Sequence, residues 1–150
     1  MVNPAGAAGQ FAASELAALL KLWRERYGAG PLPAESRLTE ADLARWQPHL
    51  ALIEREPDGR FRVRRFGHGL VRRFGRESTN EYIDRLAPDI RTSLTDLLTS
   101  CLSTGQPVTA EASVAFGKYT VRFAQVAVPV AADGDRIGKF LLAAYECGQD

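Results

Sequence analysis

The segment that most restricts how this chain folds is its last strand. Residues 137–145 are apolar at both parities: Ile137, Leu141, Ala143 and Tyr145 on one face, Phe140, Leu142 and Ala144 on the other. A sheet with one face in water alternates apolar and polar side chains along each strand. A strand apolar on both sides therefore belongs to a sheet that is covered on both sides. The run Phe140–Tyr145 is the longest unbroken apolar stretch in the chain, far short of the ~20 residues a transmembrane helix needs.

One cover is legible near the start. Leu16, Leu19, Leu20, Trp23 and Tyr27 recur at helical spacing, between Ser14 as a capping residue and Gly28 as a stop. This predicts a helix over 14–28 whose stripe faces the sheet of its own chain or of a partner. Those five residues are the expected dimer or partner contact. Residues 1–13 are Gly/Ala-rich without periodicity and read as a flexible lead-in, leaving 14–150 as one domain.

Gly28–Pro33 reads as a loop, and Thr39 caps a short helix running to about Trp46 and ended by Pro48. His49–Glu54 and Arg60–Arg64 pair as a hairpin around Asp58-Gly59, the second strand alternating strictly. Gly67 and Gly75 bracket a short helix, and one or two further turns fall within 78–87. Pro88 then opens a long helix with the stripe Ile90, Leu94, Leu97, Leu98, Cys101 and Leu102, stopped by Gly105. Three antiparallel strands follow: 108–114, 119–130 and 137–145. Two strands alone cannot bury a core. The economical arrangement is one five-stranded antiparallel sheet, class α+β, with helices on one face and the N-terminal helix on the sheet or on a partner.

That is the element order of a PAS domain, and the local motifs agree with it. They are Leu20-Lys21-Leu22-Trp23, the Pro31-Leu32-Pro33 loop, Leu43 with Pro48-His49-Leu50, Arg60-Phe61-Arg62-Val63-Arg64, Phe66-Gly67, Phe74-Gly75-Arg76 and the Gly105-x-Pro107 turn. Over roughly residues 16–147 the chain resembles a family of short, stand-alone PAS-like proteins found mainly in alphaproteobacteria. The resemblance implies a sensory or regulatory module with a ligand pocket between sheet and helices, commonly a homodimer through the N-terminal helix. It carries no particular ligand. Haem-binding PAS domains place a histidine on the long helix, and residues 88–104 contain none. Light-sensing relatives use a cysteine on a short helix before the long one, whereas the two cysteines here are Cys101 and Cys147. No cofactor is expected, and both thiols read as packing or surface residues.

The densest charge signal is Arg60–Arg76, with seven Arg, His68 and no acidic residue. It is either an anion or nucleic-acid site or simply the solvated side of a strand and a helix. The formal net charge of +1 argues against a dedicated nucleic-acid binder. Arg65 shares the parity of Phe61 and Val63, where the resembled family has an apolar residue. It either ends the strand or points into the pocket. His68, where the family has a small residue, is a second candidate, as a carboxylate ligand or pH switch or as a satisfied helix-start histidine.

Tyr119, Arg122 and Gln125 offer polar groups on the long strand. Parity places Tyr119 and Gln125 on one face and Arg122 on the other, so all three line one cavity only across a bulge. An inward Arg122 suits an acidic small molecule. Arg65, His68, Tyr119 and Arg122 are thus the expected ligand contacts. Phe61, Phe66, Phe74, Phe116, Phe123 and Phe140 are bulky enough to close the interior instead.

No phosphate-binding Gly-rich loop, nucleophile elbow or His-Glu-x-x-His helix is present, and no metal site is expected. An enzyme survives only as a cone-shaped α+β barrel of the nuclear-transport-factor type, using Asp96 or His68 as a cavity base. The N-terminus has no secretory pattern and two cysteines make no disulfide framework, so the expected location is the cytoplasm. The expected function is a non-enzymatic PAS-like regulator whose signal leaves through a protein contact, with or without a small acidic ligand.

Overall fold

The computed structural model describes residues 6–27, 38–75, 77–133 and 136–149, apart from the side chains of 27, 132 and 133. Helix α1 spans Gly6–Tyr27, and α2, Glu40–Leu43, continues as a 3-10 turn over Ala44–His49. Strands β1, Leu50–Arg55, and β2, Phe61–Phe66, form the first hairpin; α3, His68–Phe74, a 3-10 turn at Ile83–Arg85 and α4, Pro88–Thr104, follow. The chain ends in β3, Val108–Phe116, β4, Tyr119–Asp133, and β5, Arg136–Gln149.

All five strands form one antiparallel sheet in the order β2-β1-β5-β4-β3. The doubly apolar β5 occupies the middle, which is where a strand covered on both faces belongs. Phe140, Leu142 and Ala144 join one buried cluster with α3, α4 and the Ile83 turn. Leu141, Ala143 and Tyr145 join the other, with α1, Trp46 and Leu50. The sheet is open, with edges at β2 and β3, and is not the cone-shaped barrel that kept an enzyme reading alive.

Local signals act as expected at the helix ends. Thr39 Oγ1 accepts the Asp42 N–H at 3.2 Å. Gly105 closes α4 at φ +67°, a left-handed conformation open to glycine at little cost, with its N–H donated to Cys101 O at 2.9 Å. Pro48 sits within the 3-10 turn rather than ending the preceding helix.

Helix α1 departs from the sequence reading in two ways. It begins at Gly6, so Ser14 lies inside the helix and residues 6–13 are helical. The reason is tertiary: Ala12 is fully buried and the Phe11 ring meets Tyr145 edge-on at 5.9 Å. The stripe is also occupied by the chain's own sheet. Leu16, Leu19 and Trp23 are buried against β4 and β5, with Leu20 partly buried beside them. Trp23 Nε1 donates to Pro129 O at 2.9 Å. Leu16, Leu19 and Trp23 thus face the chain's own sheet, and the Tyr27 side chain lies outside the described residues. The helix is clamped to the Ala44–His49 turn as well. The Arg45 guanidinium holds the Glu15 carboxylate at 2.8 and 3.0 Å, and Trp46 Nε1 donates to Glu15 O at 2.9 Å.

Two of the sheet's register shifts move residues that the sequence reading had assigned to a face. In β5, Val130 pairs with Lys139 and Ala131 with Ile137, leaving Gly138 extra, so Ile137 joins the Phe140 face instead of the Leu141 face. In β2, Ile53 pairs with Val63 and Leu52 with Arg65, leaving Arg64 extra. One inserted residue exchanges the faces of all that follow it.

Because Trp23 fills the chain's own core, Trp23→Ala should cost about 3–5 kcal/mol of folding stability, seen as a lowered thermal midpoint. A near-normal midpoint accompanied by loss of a dimer would instead place the stripe at a subunit interface.

Candidate functional site

Helices α3 and α4 do not close fully on the sheet. Between them lies a cavity of about 160 Å³. Its walls are mostly apolar: Phe66 from the end of β2, Leu70 and Phe74 from α3, Ile90 and Leu94 from α4, Phe123 from β4. The phenylalanines cluster, with Phe74 stacked on Phe123 at 5.5 Å and tilted on Phe116 at 5.6 Å, yet they leave the space open. The polar side chains among the described lining residues are Ser78, Ser93 and Gln125. Gln125 Nε2 donates to Ser93 Oγ at 3.1 Å, joining β4 to α4 across the cavity wall.

An engineered apolar cavity of about 150 Å³ stays dry and accepts benzene. The space here is of the same scale and suits one ring or a short alkyl group. None of the described lining side chains is an acid or a base.

The four expected ligand contacts lie elsewhere. The bulge at Arg64 turns Arg65 to the α1 side, where it is exposed and paired with Glu40 at 3.0 Å, and returns Phe66 to the cavity. Arg122 lies beside α1 residues and packs against Gly148, its register partner, on the face opposite the cavity; parity alone had separated it from Gln125. Tyr119 is 58% exposed at the start of β4, too far along the strand to reach the cavity. His68 is exposed at the start of α3 and lines a separate open groove with His49, Arg72, Arg73 and Glu146. Of the polar residues weighed on the long strand, Gln125 alone lines the cavity. Ser93 was not singled out because a serine on a helix carries no pattern, but its place one residue before Leu94 on the apolar stripe put it near the buried side.

The Arg-rich segment is largely neutralised by acids that lie outside it, in the facing strand and turn and farther along the chain. Arg60 meets Asp84 at 3.1 Å, Arg64 meets Glu54 at 2.7 Å, Arg62 pairs with Glu56, and Arg73 with Glu146. Arg60 and Arg62 also flank the Tyr82 ring at 3.4 and 4.0 Å from its centroid. Arg62 holds the Glu56 carboxyl below its ordinary range, chiefly by hydrogen bonding. Arg76 lies outside the described residues.

Neither thiol reaches the cavity. Cys101 is fully buried with Sγ 3.7 Å from Ala127 O, and burial pushes its pKa to about 12. Cys147 lies on the α1 side, its Sγ donating to Glu111 at 3.4 Å, and burial again raises it. Both are protonated at neutral pH and poor nucleophiles. Asp96 is exposed and off the cavity. Among the described residues no group of three or more His, Cys, Asp or Glu is placed to hold a metal ion. No helix among them is long and apolar enough to cross a membrane.

Comparison with known proteins identifies the fold. No family model matches the sequence, and no curated protein matches it. The structure is similar to the PAS domain of a protein from Colwellia psychrerythraea, with a TM-score of 0.52 at 12% identity, over 71% of this chain and 94% of that one. It is also similar to a LOV protein from Rhodobacter sphaeroides, with a TM-score of 0.51 at 15% identity, over 69% of this chain and 61% of that one. The chain thus spans about three fifths of the LOV protein's length. The fold is that of PAS and LOV domains.

His49 provides a test of the packing beside this site. Its ring stacks on Tyr145 at 4.0 Å, and burial holds its pKa below the ordinary 6.5. The unfolded chain therefore takes up a proton that the folded chain resists. This contribution is complete above pH 6.5 and is lost as pH falls from there through the lower folded value. Urea midpoints should drop between about pH 7.5 and 5.5, and His49→Phe should flatten that drop.

Proposed function

We propose that this chain is a PAS-type sensory or regulatory domain, non-enzymatic and cytoplasmic, whose input is a small, largely apolar molecule held between the sheet and helices α3 and α4. The cavity carries this reading. It is enclosed by the elements that face the sheet, it is of ligand scale, and it has one polar pair, Ser93–Gln125, to orient a guest. The absence of titratable groups from its described lining suits binding rather than turnover. The motif series from Leu20-Lys21-Leu22-Trp23 to Gly105-x-Pro107 supports membership of the stand-alone alphaproteobacterial PAS-like family.

Signalling requires that the guest favour one arrangement of the domain over another. Leu70 and Phe74 on α3 and Leu94 on α4 touch both the cavity and the core, so filling the space stabilises one packing of these helices on the sheet. The output is a protein contact, as a homodimer or with another partner. With Leu16, Leu19 and Trp23 turned inward, that contact is left to the exposed residues of α1.

The test is mass spectrometry of small molecules released on denaturing the freshly purified protein, combined with melting in benzene-saturated buffer. A stoichiometric guest, or a midpoint raised by benzene in the wild type and unchanged in the cavity-filling variant Leu94→Trp, is the expected result. No guest together with no benzene shift would show a closed interior and remove the ligand-sensing reading.

A further inference from the structure

We propose that the molecule taken by this cavity is an amphipathic monoanion, with its apolar end inside and its carboxylate in the basic groove that lies against the outer side of α3. This rests on the ligand-binding reading and adds the charge of the guest and the place of its head group.

The groove measures about 580 Å³ and is open to water. The turn carrying Pro48 and His49, α3 and the end of β5 form its walls. The cavity and the groove share Leu70, Phe123 and Ala144 in their linings, so they are neighbouring spaces. Helix α3 presents a different chemistry to each. Leu70 is buried toward the cavity, while His68, Arg72 and Arg73 line the groove.

The basic groups differ in what already holds them. Arg73 is paired with Glu146 and lies over the Phe116 ring at 4.3 Å. Arg72 and His68 have neither a hydrogen bond nor an ion pair with any described residue. A carboxylate therefore finds an uncommitted guanidinium, with an imidazole beside it. Glu146, the acid in the groove, disfavours a second negative charge on the guest and selects a monoanion over a phosphate dianion.

The place of these side chains is fixed by close backbone packing. A Cβ on Gly69 would lie 2.7 Å from Pro48 O, and one on Gly67 would lie 2.6 Å from it. Glycine at both positions lets the start of α3 rest directly on the Pro48 turn, which sets the groove's width. The cavity's scale limits the apolar end to one ring or a short alkyl chain.

The experiment uses the full chain with four probes: benzoate, hexanoate, benzyl alcohol and inorganic phosphate. Affinities come from calorimetry and locations from amide NMR shifts. Benzoate and hexanoate should shift amides both at 68–74 and at Ser93 and Gln125, and benzoate should bind at least tenfold tighter than benzyl alcohol. Arg72→Gln, at an exposed position, should weaken benzoate by about tenfold, the scale of one charge-assisted hydrogen bond, and leave benzyl alcohol unchanged. An unaltered melting midpoint in Arg72→Gln is the control for folding.

Equal affinity for benzoate and benzyl alcohol, or benzoate binding untouched by Arg72→Gln, would overturn the head-group site while the cavity reading stands. Benzoate shifts confined to the groove and reproduced by phosphate would show an unspecific anion surface and would also overturn it. Failure of all four probes would remove the cavity reading as well.

Discussion

The structure depends on β5 being buried on both faces at the centre of the sheet. Phe140 and Ala143 are both fully buried, on opposite sides. Burying apolar surface stabilises by roughly 25 cal/mol per Å², so neither face can be left to water without a large loss. That requirement forces two separate covers. Helices α3 and α4 supply one, and α1 with the Trp46 turn supplies the other. On the α1 side, Trp23 and Trp46 are locked by hydrogen bonds to Pro129 O and Glu15 O, and an open groove is left between α1 and strands β3 and β4. On the α3 and α4 side, the space left is the apolar cavity of the candidate site.

The cavity's polarity follows from the same geometry. Position 125 continues the inward row of Val121 and Phe123 on β4, so Gln125 enters a wall that is otherwise apolar and 94% of its surface is withdrawn from water. A buried amide needs a partner, and Ser93 on α4 provides one. The resulting link between sheet and helix spans the two elements whose spacing a guest would alter.

Charge tells a different story from its count along the chain. The segment 60–76 has seven Arg and no acid, which in isolation describes an anion-binding stretch. In the fold, Glu40, Glu54, Glu56, Asp84 and Glu146 come to meet it. Exposed pairs of this kind contribute little stability each, but they neutralise the surface. What remains for an anion is a much smaller feature, Arg72 with His68, set beside the cavity rather than along the strand.

The elements, their order and the doubly covered sheet were legible in the sequence, because hydrophobic periodicity and glycine, proline and capping signals are local. Parity along the uninterrupted β4 separates Gln125 from Arg122, but it does not say which of them faces the cavity, and Arg122 rather than Gln125 was the expected ligand contact. The site itself was decided by the tertiary structure. Bulges at Arg64 and Gly138 exchange the faces of Arg65 and Ile137, and no residue type announces a bulge at Arg64. The start of α1 at Gly6 depends on burial of Ala12, and the silence of the Arg-rich segment depends on acids brought from elsewhere in the chain. Each of these is decided by pairing or packing between segments, and such contacts exist only once the chain has closed on itself.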